Sequence, residues 1–343
     1  FVLPADGGTP RQVTSGDYNH SGSLSWSPDG EEIVVSANRN EDWQYRQQNS
    51  DLWSVNLTSG EMSQLTSRDG PDFAPAFSPD GSRMAYLGYD DERMGYHNTQ
   101  VNILDVNSGE VSVLTDDLDR SVVSVNWSGS SSQLLISYDD FGKRNLASLD
   151  MEGNVSPFLS DMGSVGISRP YTSGSYSVAD NGAYAYSAGD AQRPADVAIG
   201  RGGSSTKLTD LNADLLDHKT LGEVREVSWR SSVGDHDVNG WLVTPPDFDA
   251  DEDYPLLLEI HGGPFTAYGP YFSTEVQLYA AAGYVVLYTN PRGSTSYGYE
   301  FANEIHHNYP SQDYDDLISG VDAVIDMGFI DEDQLFVTGG SGG

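Results

Sequence analysis

A phrase that returns about every 50 residues limits the first part of this chain more than any other feature. Ser25-Trp26-Ser27-Pro28-Asp29-Gly30 comes back as Ala76-Phe77-Ser78-Pro79-Asp80-Gly81. Weaker copies stand at Asn126-Trp127-Ser128-Gly129 and Val178-Ala179-Asp180-Asn181-Gly182. After each turn comes an alternating or β-branched run, such as Glu32-Ile33-Val34-Val35-Ser36 or Leu134-Leu135-Ile136-Ser137-Tyr138. A second run follows, such as Leu52-Trp53-Ser54-Val55 or Val101-Asn102-Ile103-Leu104. Each unit then closes on a similar phrase: Gln64-Leu65-Thr66, Val113-Leu114-Thr115, Phe158-Leu159-Ser160 and Lys207-Leu208-Thr209. Short strands in units of fixed size, punctuated by Pro-Asp-Gly turns, predict the blades of a β-propeller. Pro10-Arg11-Gln12-Val13-Thr14 is one more such ending, so the expectation is a partial propeller of four blades plus a remnant. The turns are structural devices: proline fixes φ and glycine takes the positive φ. Trp26, Phe77 and Trp127 are expected between blades.

From about Asp210 the pattern changes. Val224 to Trp229 and Val238 to Val243 flank the turn Gly234-Asp235-His236-Asp237 and predict a hairpin. Tyr254 to Ile260 is nearly continuous in apolar residues, as a buried parallel strand is. A helix over 274–282, a strand over 284–288, a helix over 314–327 and a strand over 334–338 follow. That order predicts a doubly wound parallel sheet entered through a hairpin. The boundary is placed between a propeller at 1–215 and this second part at 216–343.

Gly339-Gly340-Ser341-Gly342-Gly343 follows the last strand directly and fits Gly-x-Ser-x-Gly. The pattern needs small residues because the serine sits on a strained strand-to-helix turn that presents its Oγ, and larger side chains nearby would clash with backbone. Ser341 is therefore the candidate nucleophile. The N–H of Gly342 would be one donor to the developing oxyanion, and the Gly-Gly segment after the first parallel strand would supply a second. Two such donors typically contribute about 3 kcal/mol each.

His261-Gly262-Gly263-Pro264, Gly283-Tyr284-Val285-Val286, Asn290-Pro291-Arg292-Gly293-Ser294, Tyr297-Gly298, Asp315-Asp316-Leu317 and Gly339-Gly340-Ser341-Gly342-Gly343 occur in one order along the chain. In this the sequence resembles the prolyl oligopeptidase superfamily of serine peptidases, in its acylaminoacyl-peptidase and dipeptidyl-aminopeptidase branch. The resemblance implies a propeller joined to a carboxyl-terminal α/β-hydrolase domain, whose amino-terminal part is 216–343, and so covers essentially the whole chain. It implies Ser341 as nucleophile and the N–H groups of Gly263 and Gly342 as the oxyanion hole. His261 would order the oxyanion loop, and Asn290 and Arg292 would shape the loop after the second parallel strand. Two departures stand out. Gly342 replaces a tyrosine frequent in the family, and His306-His307-Asn308-Tyr309-Pro310-Ser311 replaces a Trp-Gly phrase.

In this fold the triad runs Ser, Asp, His along the chain. The triad Asp and His are therefore expected beyond Gly343 and not in this chain, which reads as truncated at both ends and inactive by itself. His306 and His307 read as surface or packing residues. Three readings of function follow: a peptidase acting on short or amino-terminally acylated peptides, an esterase on the same nucleophile, and a propeller interaction protein whose hydrolase half has decayed. The intact glycine motifs argue against decay.

Composition narrows the partners. Asp and Glu number 52 against 17 Lys and Arg, a net charge of −35, and the lysines are Lys143, Lys207 and Lys219. That excess disfavours nucleic acid, which needs a basic surface. With 11% aromatic and 37% hydrophobic residues the chain is not disordered. A folded, carboxylate-dense surface fits a high-salt cytosol, where screening removes self-repulsion. Cysteine is absent, which excludes disulfides and thiolate ligands. No apolar run approaches membrane-spanning length. No cofactor or metal is expected: Asp247-Phe248-Asp249-Ala250-Asp251-Glu252-Asp253 lacks the glycine and the closing glutamate of a calcium loop. The pairs Asp116-Asp117 and Asp139-Asp140 read as surface, and Gly202-Gly203-Ser204-Ser205 as a plain loop. Association into a homo-oligomer stays open.

Overall fold

The computed structural model describes residues 1–160 and 162–343, and Ser21 by its backbone alone. The repeat becomes four four-stranded sheets of simple up-and-down order. The first holds β1 (His20–Trp26), β2 (Glu32–Ala37), β3 (Asp51–Asn56) and β4 (Met62–Gln64). The second holds β5 (Asp72–Phe77), β6 (Arg83–Gly88), β7 (Gln100–Asp105) and β8 (Val111–Val113). The third is β9 (Val122–Trp127), β10 (Gln133–Asp140), β11 (Lys143–Asp150) and β12 (Val155–Leu159). The fourth is β13 (Tyr176–Val178), β14 (Tyr184–Ala188), β15 (Asp196–Arg201) and β16 (Ser204–Lys207).

The recurring phrases have local hydrogen-bonding reasons. In the turns, Ser27 Oγ accepts from the N–H of Glu32, Ser78 Oγ accepts from that of Arg83, and each hydroxyl donates to the aspartate two residues on. The closing Leu-Thr pairs extend the third strand of three of the four sheets. Thr66, Thr115 and Thr209 Oγ1 accept the N–H of Leu52, Val101 and Val197, the second residue of β3, β7 and β15. A side chain thereby completes a ladder that the short fourth strand leaves open.

Contacts group the chain into two compact units. One is Phe1–Arg93, His97–Ser137 and Ala147–Ser156; the other is Met94–Tyr96, Tyr138–Leu146 and Pro157–Gly343. Within the first, Val34 and Leu52 meet Met84, Tyr86 and Leu104, with Phe77 against them. The indole N–H of Trp127 donates to Ala76 O. Phe77 and Trp127 thus pack against the preceding sheet. Trp26 differs, being 50% exposed. Among the described residues ahead of β1, Val2 and Arg11 form an isolated bridge.

In the second unit, a short helix α1 (Ala213–Leu216) precedes β17 (Val224–Arg230), β18 (Asp237–Val243) and β19 (Tyr254–Ile260). Then come α2 (Thr274–Ala281), β20 (Val285–Asn290), α3 (Tyr299–Asn303), α4 (Asp313–Ile325) and β21 (Ile330–Gly339). The sheet order is β17-β18-β20-β19-β21, with β17-β18 and β18-β20 antiparallel and β19 parallel to both β20 and β21. Alternation along β20 fills both faces. Val285 and Leu287 join Leu317 and Val324 of α4, while Val286 and Tyr288 join Val276 and Ala280 of α2. That is the doubly wound arrangement read from the sequence. Leu335, Phe336 and Val337 are exposed on β21, one of the two edge strands.

Candidate active site

Ser341 stands at the carboxyl end of β21 with φ 59, a left-handed conformation that costs a non-glycine residue about 1–3 kcal/mol. The outer glycines are there for the reason the sequence pattern suggests. A Cβ on Gly339 would lie 2.6 Å from Gly343 C and 2.8 Å from Ile260 O; one on Gly343 would lie 2.2 Å from Ile260 O. The turn is pressed against the end of β19, so the serine comes up beside the Gly-Gly segment that follows β19. A Cβ built on Gly262 falls 3.3 Å from Ser341 Cβ, and one on Gly342 falls 3.3 Å from Gly263 N. Ser341, Gly342 and Gly263 are therefore brought together, and Ser341 is exposed.

The loop 261–263 is held from two sides. His261 is buried, with Nδ1 2.6 Å from Gly262 O and Nε2 2.9 Å from Ser294 Oγ. A carbonyl only accepts, so Nδ1 carries a proton, and burial pushes the ring pKa down. The Gly262–Gly263 peptide is trans; with its carbonyl turned to His261, its N–H points the opposite way. From the other side, the Gly262 N–H donates to Tyr171 Oη at 2.9 Å.

Asn290 and Arg292 do shape the loop after β20. Asn290 exchanges hydrogen bonds with the backbone of Tyr268 and reaches Tyr297 Oη. Arg292 donates from its backbone N–H and guanidinium to the fully buried Asp316 of α4, and also to Gln312 and Val233 O. Burial acts to raise the Asp316 pKa, but the hydrogen bonds from Arg292 and Ser231 outweigh it and hold the carboxyl below its ordinary value.

His306 and His307 pack on each other with ring centroids 4.0 Å apart, and His306 Nδ1 accepts the N–H of Gly95. That is a packing role, as read from the sequence. Sequence reasoning passed over Tyr309, whose hydroxyl donates to Gly342 O at 3.2 Å. It also passed over Arg169 and Tyr171, assigned to the propeller half. Nothing local marks these three, since their partners lie 33 to 106 residues away.

Four up-and-down sheets and a β17-β18-β20-β19-β21 sheet that ends in a strained serine define a propeller-plus-α/β-hydrolase protein. The sequence pattern of the prolyl oligopeptidase family matches residues 270–343, and that of the TolB β-propeller domain matches residues 1–199. An uncharacterized peptidase, YuxL, of Bacillus subtilis is 31% identical over 438 aligned positions, covering all of this chain and 65% of the relative. Dipeptidyl-peptidase 5 of Porphyromonas gingivalis is 26% identical, covering 98% of this chain and 49% of the relative. Among solved structures, the Pyrococcus horikoshii acylaminoacyl peptidase superposes with a TM-score of 0.76 at 26% identity, over 92% of this chain and 48% of that one. Residues 270–343 thus match the prolyl oligopeptidase family, and the whole chain aligns with a peptidase. The chain spans about half to two thirds of the length of these relatives. Among the described residues no helix is long and apolar enough to cross a membrane.

Proposed function

We propose that the chain carries the nucleophile and oxyanion hole of a serine peptidase that cleaves short or amino-terminally acylated peptides. The observation that carries this is the placement of Ser341. It sits at φ 59 on a turn whose outer glycines touch the backbone of Ile260 and His261, beside the Gly262–Gly263 peptide. In this reading Ser341 Oγ attacks the scissile carbonyl and forms an acyl-enzyme, and the N–H groups of Gly263 and Gly342 stabilise the oxyanion. The names of the relatives, dipeptidyl-peptidase and acylaminoacyl peptidase, support a peptide substrate. The 1–215 and 216–343 division, a cytoplasmic high-salt setting and self-association belong to the same proposal.

The test uses the intact gene product in molar KCl. Rapid labelling by a fluorophosphonate, lost in Ser341→Ala, is expected, together with turnover of acyl-aminoacyl anilides. Ester cleavage without amide cleavage would make it an esterase, and no labelling at Ser341 would leave a binding protein. The melting temperature is expected to rise from millimolar to molar KCl, given the net charge of −35; a flat response would sink the high-salt setting.

A further inference from the structure

The segment that links β12 to β13 contributes to the candidate active site, although its sequence lies within the repeat. Its residues are hydrogen-bonded along the stretch leading into α2. Thr274 and Glu275 N–H donate to Ile167 O and Ser168 O, Thr172 N–H to Ala267 O, and Gly269 N–H to Pro170 O. Tyr171 and Tyr268 form an antiparallel bridge. This backbone seat fixes where the two intervening side chains go.

Arg169 is clamped by two carboxylates. Its Nε and Nη2 donate to Glu275 Oε2 and Oε1 at 2.9 and 3.1 Å, and Nη1 lies 3.4 Å from Oε1 of the fully buried Glu259. Glu259 also accepts from Tyr268 Oη at 2.9 Å. Bidentate pairing leaves a guanidinium little freedom. A Cβ built on Gly340, the residue before the serine, would meet Arg169 Nη1 at 2.6 Å, Cζ at 3.4 Å and Nη2 at 3.7 Å, and these are its three nearest atoms. Gly340 is absent from the residues of positive φ, so what keeps a side chain from this position is Arg169 and not the backbone. Two residues on, Tyr171 Oη accepts the Gly262 N–H, on the far side of Gly262 from the peptide that carries the Gly263 N–H.

We propose that Arg169 and Tyr171 are positioning residues for the oxyanion hole, Arg169 by buttressing the serine turn at Gly340 and Tyr171 by fixing Gly262 ahead of the Gly263 donor. This rests on the serine-hydrolase reading above. Both act through backbone that touches the oxyanion and neither touches substrate, so their effect falls on the transition state and not on ground-state binding.

The experiment measures anilide turnover by the intact protein in molar KCl, with a peptide aldehyde as a tetrahedral-adduct probe and the unreactive product peptide as a ground-state probe. Tyr171→Phe keeps the ring and removes the hydroxyl. It is expected to lower kcat about tenfold with KM within about twofold, and to weaken aldehyde binding by the same factor while product binding holds. Gly340→Ala is expected to lower kcat about a hundredfold. Adding Arg169→Lys, which keeps a cation for Glu259 and withdraws the guanidinium, is expected to return at least about tenfold of that loss, a non-additive pair. Melting temperatures of all variants are read alongside. Unchanged kcat in Tyr171→Phe, a change confined to KM, or strictly additive effects of Gly340→Ala and Arg169→Lys would overturn the proposal. Wild type that neither turns over substrate nor labels at Ser341 would overturn the hydrolase reading beneath it, and the failure then lies in wild type and not in the variants.

Discussion

Asp72, at the start of β5, and Asp316, in α4, are both fully buried and both face an arginine, yet they titrate in opposite directions. Burial raises the Asp72 carboxyl to about 6; Arg68, with Nε 2.8 Å away, and the Thr66 hydroxyl pull it down only in part, and Asp51 and Asp90 push it further up. Asp51, itself buried, is likewise raised to about 6 by burial. Asp316 suffers the same desolvation but receives the backbone N–H, Nε and Nη2 of Arg292 and the hydroxyl of Ser231. The difference teaches that an arginine beside a buried carboxylate does not decide its charge. The number of donors aimed at both oxygens does.

The sharpest way to break this comparison is to delete each carboxylate. Asp316→Ala leaves Arg292 buried without its main partner and is expected to cost about 3–5 kcal/mol, read from urea unfolding and from lost amide-exchange protection in β18 and β20. A cost near zero would refute the account of the loop after β20. Asp72→Asn is expected to cost under about 1.5 kcal/mol at pH 7, because Arg68 keeps Tyr86 Oη and Asn102 Oδ1 as acceptors. Exchange protection of β6 and β7 is the readout there.

The opposite shifts also predict opposite pH windows. An acid raised above its ordinary 3.8 stabilises the fold while protonated. The contribution of Asp51 and Asp72 is therefore whole below about pH 4 and lost as pH rises through about 6. The depressed Asp316 contributes above its ordinary 3.8, and that contribution disappears as pH falls through its lower folded value. In molar KCl, protection of β6 and β7 should decline between pH 4 and 7, and Asp51→Asn should flatten the decline. Protection of β18 and β20 should not follow it. The smallest effect expected is that of Ser273→Ala at the start of α2. Its hydroxyl accepts the Val276 N–H, so about 1 kcal/mol should be lost, measured by thermal melting.

Much of the fold was legible because its signals are local. The Ser27 and Ser78 turns, the Leu-Thr closings and the period-two runs each satisfy bonds within a few residues or one strand pair. The hydrolase strands and the two longer helices lie within a few residues of their expected bounds, with α2 at Thr274–Ala281 and α4 at Asp313–Ile325, while the short α1 and α3 carry no such signal. Trp26 shows the limit: the same phrase as Phe77 and Trp127, but exposed, because packing depends on what lies next to it in space.

The sequence by itself determined the repeat, the strand and helix order and the position of Ser341, since turn chemistry and hydrophobic period act over short stretches of chain. Only the tertiary structure decided which groups surround that serine. Tyr171 meets Gly262 across 91 residues, Arg169 meets Glu275 across 106, and Gly340 is a glycine because a guanidinium from the linking segment occupies the place of its side chain. Such pairings carry no local pattern, because they are selected by complementarity between segments that become neighbours only when the sheet has formed.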